Sequence, residues 1–485
     1  MATSVTGVGS ITSTGIGSGL DVATILSKLM AVEQRPLTLL QNQANGLNTR
    51  LSNVGKMQGY FSALRDKSNA LTGTTLWGST IATSADTAAV KVSTSTGAVA
   101  GNYAVNVSRL AVGQTATGTA LASSAATLSE GTLTIELGSY GSGDPAADFS
   151  AKSGSSAVAI TIGAGETSLA SIRDKINAAG AGVSATLVSD ASGTRLSLRS
   201  KETGAENAFR VSVAETTGDG DPATGLSALA YDATVAASPM SRSTSAANAS
   251  LTINGIAVTS ASNTLSNVVD GLTLTLLRTT TGDVDVGVAD DTASVKAAVT
   301  DFVSAFNTLA SFIRTQTAYN ADNKSGGALQ GDSATLALQN QLRGVLNEGS
   351  SASSTWSRLS DIGLGLKSDG TLETNETKLS NALGNLPELK KLLATDGASA
   401  GESGFVRRFK RLADAALGSD GVFESRSAGI RASVSRNGKS QEAMQERLNQ
   451  TEARLRAQYS ALDTKMATLT NLSSYMTQQI TQMNR

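Results

Sequence analysis

The hydrophobic positions change period twice along the chain, from helical spacing to alternation and back, and each change marks a change of element. The first twenty residues are rich in Gly, Ser and Thr without periodicity and read as a mobile arm. Asp21 then offers an N-cap, and Val22, Ile25, Leu26 and Leu29 follow at helical spacing until Pro36 interrupts the ladder. Beyond it Leu40, Leu47, Val54 and Phe61 recur every seven residues, with Leu51 and Leu64 beside them. A second amphipathic helix to about Leu71 is expected, with an apolar stripe that requires a partner.

From Leu76 to about Asp290 period two replaces period 3.6. Tyr103, Val105 and Val107 alternate with polar or small neighbours, as do Leu133, Ile135 and Leu137, and Val158, Ile160 and Ile162. Leu169, Ile172 and Ile176 mark a short helix; Val183 to Leu187, Leu196 with Leu198, and Val211 with Val213 mark further strands. The stretch SPMSRSTSAANAS around Pro239 reads as a linker. Strands resume at Leu251–Ile253, Ile256–Val258, Leu272–Leu276 and Val284–Val288. Neither these nor the strands of 80–112 can bury a sheet face alone, so the two sets are expected to share one module with 116–238 inserted.

Helical spacing returns at Thr292, where Val295, Val299, Phe302, Phe306, Leu309 and Ile313 form a heptad stripe. Further helices are expected around Leu336–Leu346, Leu379–Leu393 and Phe405–Leu417, and Asp369-Gly370 signals a tight hairpin. The C-terminal pattern is the most regular. Leu448, Leu455, Leu462, Leu469, Met476 and Met483 recur every seven residues, and Tyr459, Met466 and Ile480 fall four residues after three of them. Residues 431–465 hold eleven charges, whereas 466–484 hold none.

These periods predict a multidomain α+β chain. Long paired terminal helices form coiled-coil legs (1–44 and 436–485), a helical bundle forms a leg domain (45–78 and 291–435), and two β-rich head domains follow, with 116–238 inserted between 79–115 and 239–290.

Composition narrows the function. Cys 0 and His 0 remove disulfide scaffolds, thiolate catalysis and every nucleophile–His triad, leaving carboxylate and Lys chemistry. With 39 basic against 40 acidic residues no global field recruits nucleic acid or an anionic membrane, and few of the 18 aromatics are available as stacking platforms. No apolar run reaches the roughly 20 residues that span a bilayer, so no membrane insertion is expected. The first charge is Asp21, so the basic segment of a cleavable signal peptide is missing, which leaves the cytosol or a signal-less export route.

No catalytic, cofactor or metal constellation is expected. Gly15-Ile16-Gly17-Ser18-Gly19 follows no strand and has no Lys at phosphate-loop spacing. Asp219 and Asp221, and the segment 321–326, lack the distal Glu of a calcium loop and read as turns. The Arg407-Arg408 and Lys410-Arg411 cluster reads as a solvated helix face. For the terminal heptads the plain reading is a helical hairpin within one chain. The uncharged ends exceed what one two-helix seam covers, which points to self-association through both ends. The seam is assigned to Leu455, Tyr459, Leu462, Met466, Leu469, Met476 and Ile480, opposed by Ile25, Leu26, Leu29, Leu40 and Leu47.

Three segments make the reading specific. Gly15 to Asp21 followed by VATILSKLMAVEQRPL resembles the N-terminal signature of the bacterial flagellar filament cap family, also called flagellar hook-associated protein 2. Thr167–Gly204 resembles the repeat inserted in flagellins and cap proteins, and Glu446–Ile480 resembles the family's tail. The resemblance implies a non-enzymatic homo-oligomer ring at the distal tip of the filament, with a pentamer the first expectation. It implies flagellin and hook-filament junction proteins as partners, export by the flagellar type III apparatus, and a cytoplasmic export chaperone on the C-terminal helix. A surface adhesin using the Ser/Thr-rich β segment to bind glycans is the competing class, and an enzyme with paired carboxylates a third.

Overall fold

The computed structural model describes residues 21–322 and 324–483. The expected arm, residues 1–20, and the Gly15–Gly19 run lie outside the described residues. The chain opens with helices α1 (Val22–Glu33) and α2 (Arg35–Thr72) and the single turn α3 (Thr74–Trp77). Strands β1 (Thr80–Ser84), β2 (Val90–Thr94), β3 (Gly101–Arg109), β4 (Thr115–Thr117), β5 (Gly131–Tyr140), β6 (Phe149–Ala151) and β7 (Val158–Ile162) follow. Helix α4 (Leu169–Ala178) leads to β8 (Val183–Asp190), β9 (Gly193–Ser200), β10 (Ala208–Glu215) and β11 (Ser241–Thr244). Then come β12 (Ala249–Ile253), β13 (Ile256–Ser260), β14 (Thr264–Val269), β15 (Leu272–Leu276) and β16 (Val284–Asp290). Helix α5 (Thr292–Thr317), the hairpin β17 (Tyr319–Asn320) with β18 (Ser325–Gly326), and α6 (Ser333–Asn347) return the chain to helix. The hairpin β19 (Leu364–Leu366) with β20 (Leu372–Thr374) precedes α7 (Glu376–Leu383), α8 (Leu386–Ala394), α9 (Phe405–Leu417) and α10 (Val422–Met483). This is a mixed helix and sheet protein with several β-rich layers and a long C-terminal helix, as the periodicity predicts.

The chain divides into two compact units, one running Trp77–Asp291 and the other joining the residues up to Leu76 with those from Thr292 onward. In the helical unit, Asp21 caps α1 by accepting from the Thr24 N–H at 3.0 Å. Gln34 keeps a helical backbone, and Pro36 sits in the first turn of α2, where its missing N–H breaks no bond. The α5 heptad stripe is buried along its length. Six of the nine phenylalanines are buried in this unit. Phe61 of α2 meets Phe423 of α10 at 5.1 Å between ring centroids, and Phe409 of α9 meets Phe302 and Phe306 of α5 at 5.4 and 5.6 Å. A sparse aromatic supply is thus concentrated where helices must pack at several angles.

Two polar groups secure the same unit from inside. Asp332 caps α6 through the Thr335 N–H and hydroxyl and pairs with Arg426 of α10. Within the basic cluster only Arg408 departs from the expected solvated face; Arg411 is exposed. Arg408 is only 5% exposed, stacks on the Phe405 ring, and donates to the carbonyls of Ser403, Glu348 and Gly349. The carbonyls left open after α6 need a donor, and the planar guanidinium fork meets three carbonyls at once.

In the β unit, the order β1-β16-β3-β12-β13 forms one sheet and β14-β15-β2 a second. Val90, Val105, Val107, Leu251, Leu274 and Val286 fill the core between them. This layer pair therefore takes its strands from 80–109 and from 249–290. The residues between build β10-β5-β6 with β7 on β5, and β11-β4-β9-β8, around a core that includes Leu133, Ile172, Leu198 and Phe209. The expected linker around Pro239 is corrected: Met240 is buried in that core and β11 pairs with β4. Chain entry and exit are thereby stitched together by a short ladder, which a composition rich in Ser and Ala does not announce.

Candidate functional site: the seam of the terminal helices

Helix α10 runs for 62 residues, and its inward positions meet α2 first and α1 later. The pairing is antiparallel. Phe61 faces Phe423, Gln43 bonds to Asn437, and further along Leu26 and Met30 of α1 close with Leu448 into one cluster, flanked by Leu37, Met444 and Leu455. Val22, Leu26 and Met30 stand at i, i+4 and i+8, so one stripe of α1 is buried. A cleft of about 260 Å³ runs beside it, lined by α1 residues and by Glu452 and Arg456, which pair with each other at 2.9 Å.

The expected seam residues divide into two groups. Leu26 is buried, while Ile25, Leu40, Leu47, Leu455, Tyr459 and Met466 are half-buried. Leu29 faces solvent; Met30, one position on and about 100° around the helix, occupies the inward place instead. Beyond Tyr459 exposure rises along the heptads. Leu448 is 3% exposed, Leu462 43%, Leu469 58% and Ile480 57%, and Met476 is exposed with them. These last residues lie outside the cluster that Leu26, Met30 and Leu448 form.

The tail's threonine hydroxyls are satisfied within the helix. The hydroxyls of Thr464, Thr468, Thr470, Thr477 and Thr481 each donate to the carbonyl four residues earlier, at 2.7–3.0 Å. Residues 466–483 hold no charged side chain, and these hydroxyls would lose little on leaving water. Val22, Met30, Leu37, Gln43, Asn437, Gln441 and Met444 are seam members that the sequence reading did not assign. Stepping back seven residues from Leu448 and Met444 lands on Gln441 and Asn437, so a heptad register carried through polar residues would have found them.

Residues 18–114 match the model of the flagellar hook-associated protein 2 N-terminus and residues 246–471 that of its C-terminus. Residues 148–202 match the flagellin hook IN motif. The flagellar hook-associated protein 2 of Escherichia coli K12 is 33% identical over 97% of this chain and 98% of its own length. The chain belongs to the flagellar hook-associated protein 2 family.

Hook-associated protein 2 of Salmonella typhimurium is 30% identical over 98% of this chain and 99% of its own length. The B-type protein of Pseudomonas aeruginosa PAO1 is 30% identical over 98% and 96%. Among solved structures, the D1-D2-D3 domains of the flagellar cap protein FliD from Escherichia coli superpose with a TM-score of 0.59 at 31% identity, covering 78% of this chain and 99% of that one. Members of this hook-associated family are flagellar cap proteins, so these matches support the cap over the adhesin.

Proposed function

We propose that this chain is the structural cap at the distal tip of a bacterial flagellar filament. Copies associate through the tail of α10 into an annular homo-oligomer, with a pentamer the first expectation, that retains exported flagellin and promotes its folding and insertion beneath the ring. The observation that carries this beyond family membership is the end of α10, where Leu462 and, in the uncharged stretch after it, Leu469, Met476 and Ile480 stand exposed past the end of the intrachain cluster. Their roles are packing, and the protein acts without enzymatic chemistry.

The division proposed with it assigns 1–44 and 436–485 to arm and leg helices and 45–78 with 291–435 to a leg domain. Residues 79–115 with 239–290 form one head module, and 116–238 an inserted one carrying the flagellin-type repeat. The site of action is extracellular, reached through the flagellar type III apparatus without a cleaved peptide. No helix among the described residues is long and apolar enough to cross a membrane. A cytoplasmic chaperone covering the tail before export, and contact with the hook-filament junction proteins, complete the expected partners.

Leu462→Asp tests the assignment, because it places a charge in the stripe. It should abolish capping, seen as flagellin leaking into the medium, while the β unit remains folded. Normal filaments in that variant would overturn the seam.

A further inference from the structure

Where α10 faces α2, its inward positions read Ile430, Val434, Asn437, Gln441, Met444 and Leu448, spaced 4, 3, 4, 3, 4. Two neighbouring places in this otherwise apolar stripe hold amides. Asn437 is only 7% exposed; its Nδ2 donates to Gln43 Oε1 of α2 at 3.1 Å, and its Oδ1 accepts from Gln441 Nε2 at 2.6 Å. Apolar side chains on either side tolerate several registers and several partners, because dispersion and burial are not directional. Only the Asn437–Gln43 bond crosses between the helices; Gln441 belongs to α10 and moves with Asn437, and Gln43 receives the bond from the exposed rim of the seam. Sliding α10 by one heptad, about 10 Å at 1.5 Å per residue, would leave Asn437 buried without its partner.

We propose that Asn437, oriented by Gln441 of its own helix, forms with Gln43 a register lock that ties this stretch of α10 to its own α2. The lock gives up some stability relative to an apolar layer and in return excludes competing pairings. Its consequence for assembly rests on the seam reading above: only the part of α10 beyond Leu455 is left open to a second copy. The lock itself is a property of one chain and is readable in the monomer.

The test uses the full chain. It contains no cysteine, so a pair introduced at Leu37 and Met444 and bridged by a short thiol cross-linker reports the register without background. In the double variant Asn437→Leu with Gln441→Leu, the melting midpoint should equal or exceed that of the parent, while the cross-linked yield falls and light scattering shows several masses. The swap Gln43→Asn with Asn437→Gln restores an amide pair and should return one register and one mass distribution. A lowered midpoint with full cross-linking would reduce the layer to ordinary packing and overturn the lock, and so would a double variant indistinguishable from the parent. If the double variant does not fold, Asn437→Leu alone carries the same comparison, since it too removes the buried amide without leaving one unpaired. Failure of the cap reading looks different, as a parent chain that stays monomeric while its cross-link forms.

Discussion

At the scale of single residues, the most consequential groups are polar ones inside the helical unit. Burial by itself would push the Asp332 carboxyl up, but the bonds from Thr335 and the charge of Arg426 together hold it below its ordinary value of 3.8. A carboxylate depressed in the folded state contributes stability above its ordinary value and loses it as pH falls through the lower folded value. Asp332→Ala should therefore cost about 1–3 kcal/mol at neutral pH in urea unfolding. The difference from the parent should shrink as pH drops below 3.8. Neither Asp332 nor Arg408 was legible as a buried group. A charged residue in a sequence carries the prior of a solvated one, and only the neighbours that bury it reverse that prior.

At the scale of elements, helix α10 behaves as two segments with one pattern. Leu448 lies in the closed cluster with Leu26 and Met30, so Leu448→Ala should cost about 2–4 kcal/mol and raise amide exchange along α1. Leu469 holds the same heptad place 21 residues on, yet is exposed. Leu469→Ala should leave the stability of the isolated chain within about 0.5 kcal/mol while weakening self-association in sedimentation. A result in which both substitutions destabilise the monomer equally would mean that the tail is packed within its own chain. Helix existence and type were readable here because the periods are long, whereas the inward face of α1 was misjudged by one residue at Leu29. Little more than three helical turns of mixed Leu, Ile, Val and Met leave two adjacent faces nearly equally apolar, and the partner helix chooses between them.

At the scale of the whole molecule, the β unit carries its own cores and draws every strand from within Trp77–Asp291. Expressed alone as residues 77–291, it should fold and unfold cooperatively in chemical denaturation with a dispersed NMR spectrum. A molten fragment would show that it requires the helical unit. Within it, the side chain of Asn263 bridges Ala111 through both its N–H and carbonyl, and Asn248 accepts from Ala205, so residues far apart in sequence are tied by single amides. None of these pairings has a local signature.

What the sequence determined by itself was local period and chemical exclusion. Helices and strands announced themselves because a side chain's face follows from its own backbone geometry, and the absence of Cys and His removed whole classes of catalysis. The terminal motifs also carried the family. What only the tertiary structure decided was which apolar positions are buried among the described residues and which are exposed. That depends on how α1 and α2 pair with α10, a long-range pairing that no heptad encodes. The same holds for Asn437 and Gln441, which interrupt the apolar pattern when read along the chain and complete the seam once Gln43 stands opposite.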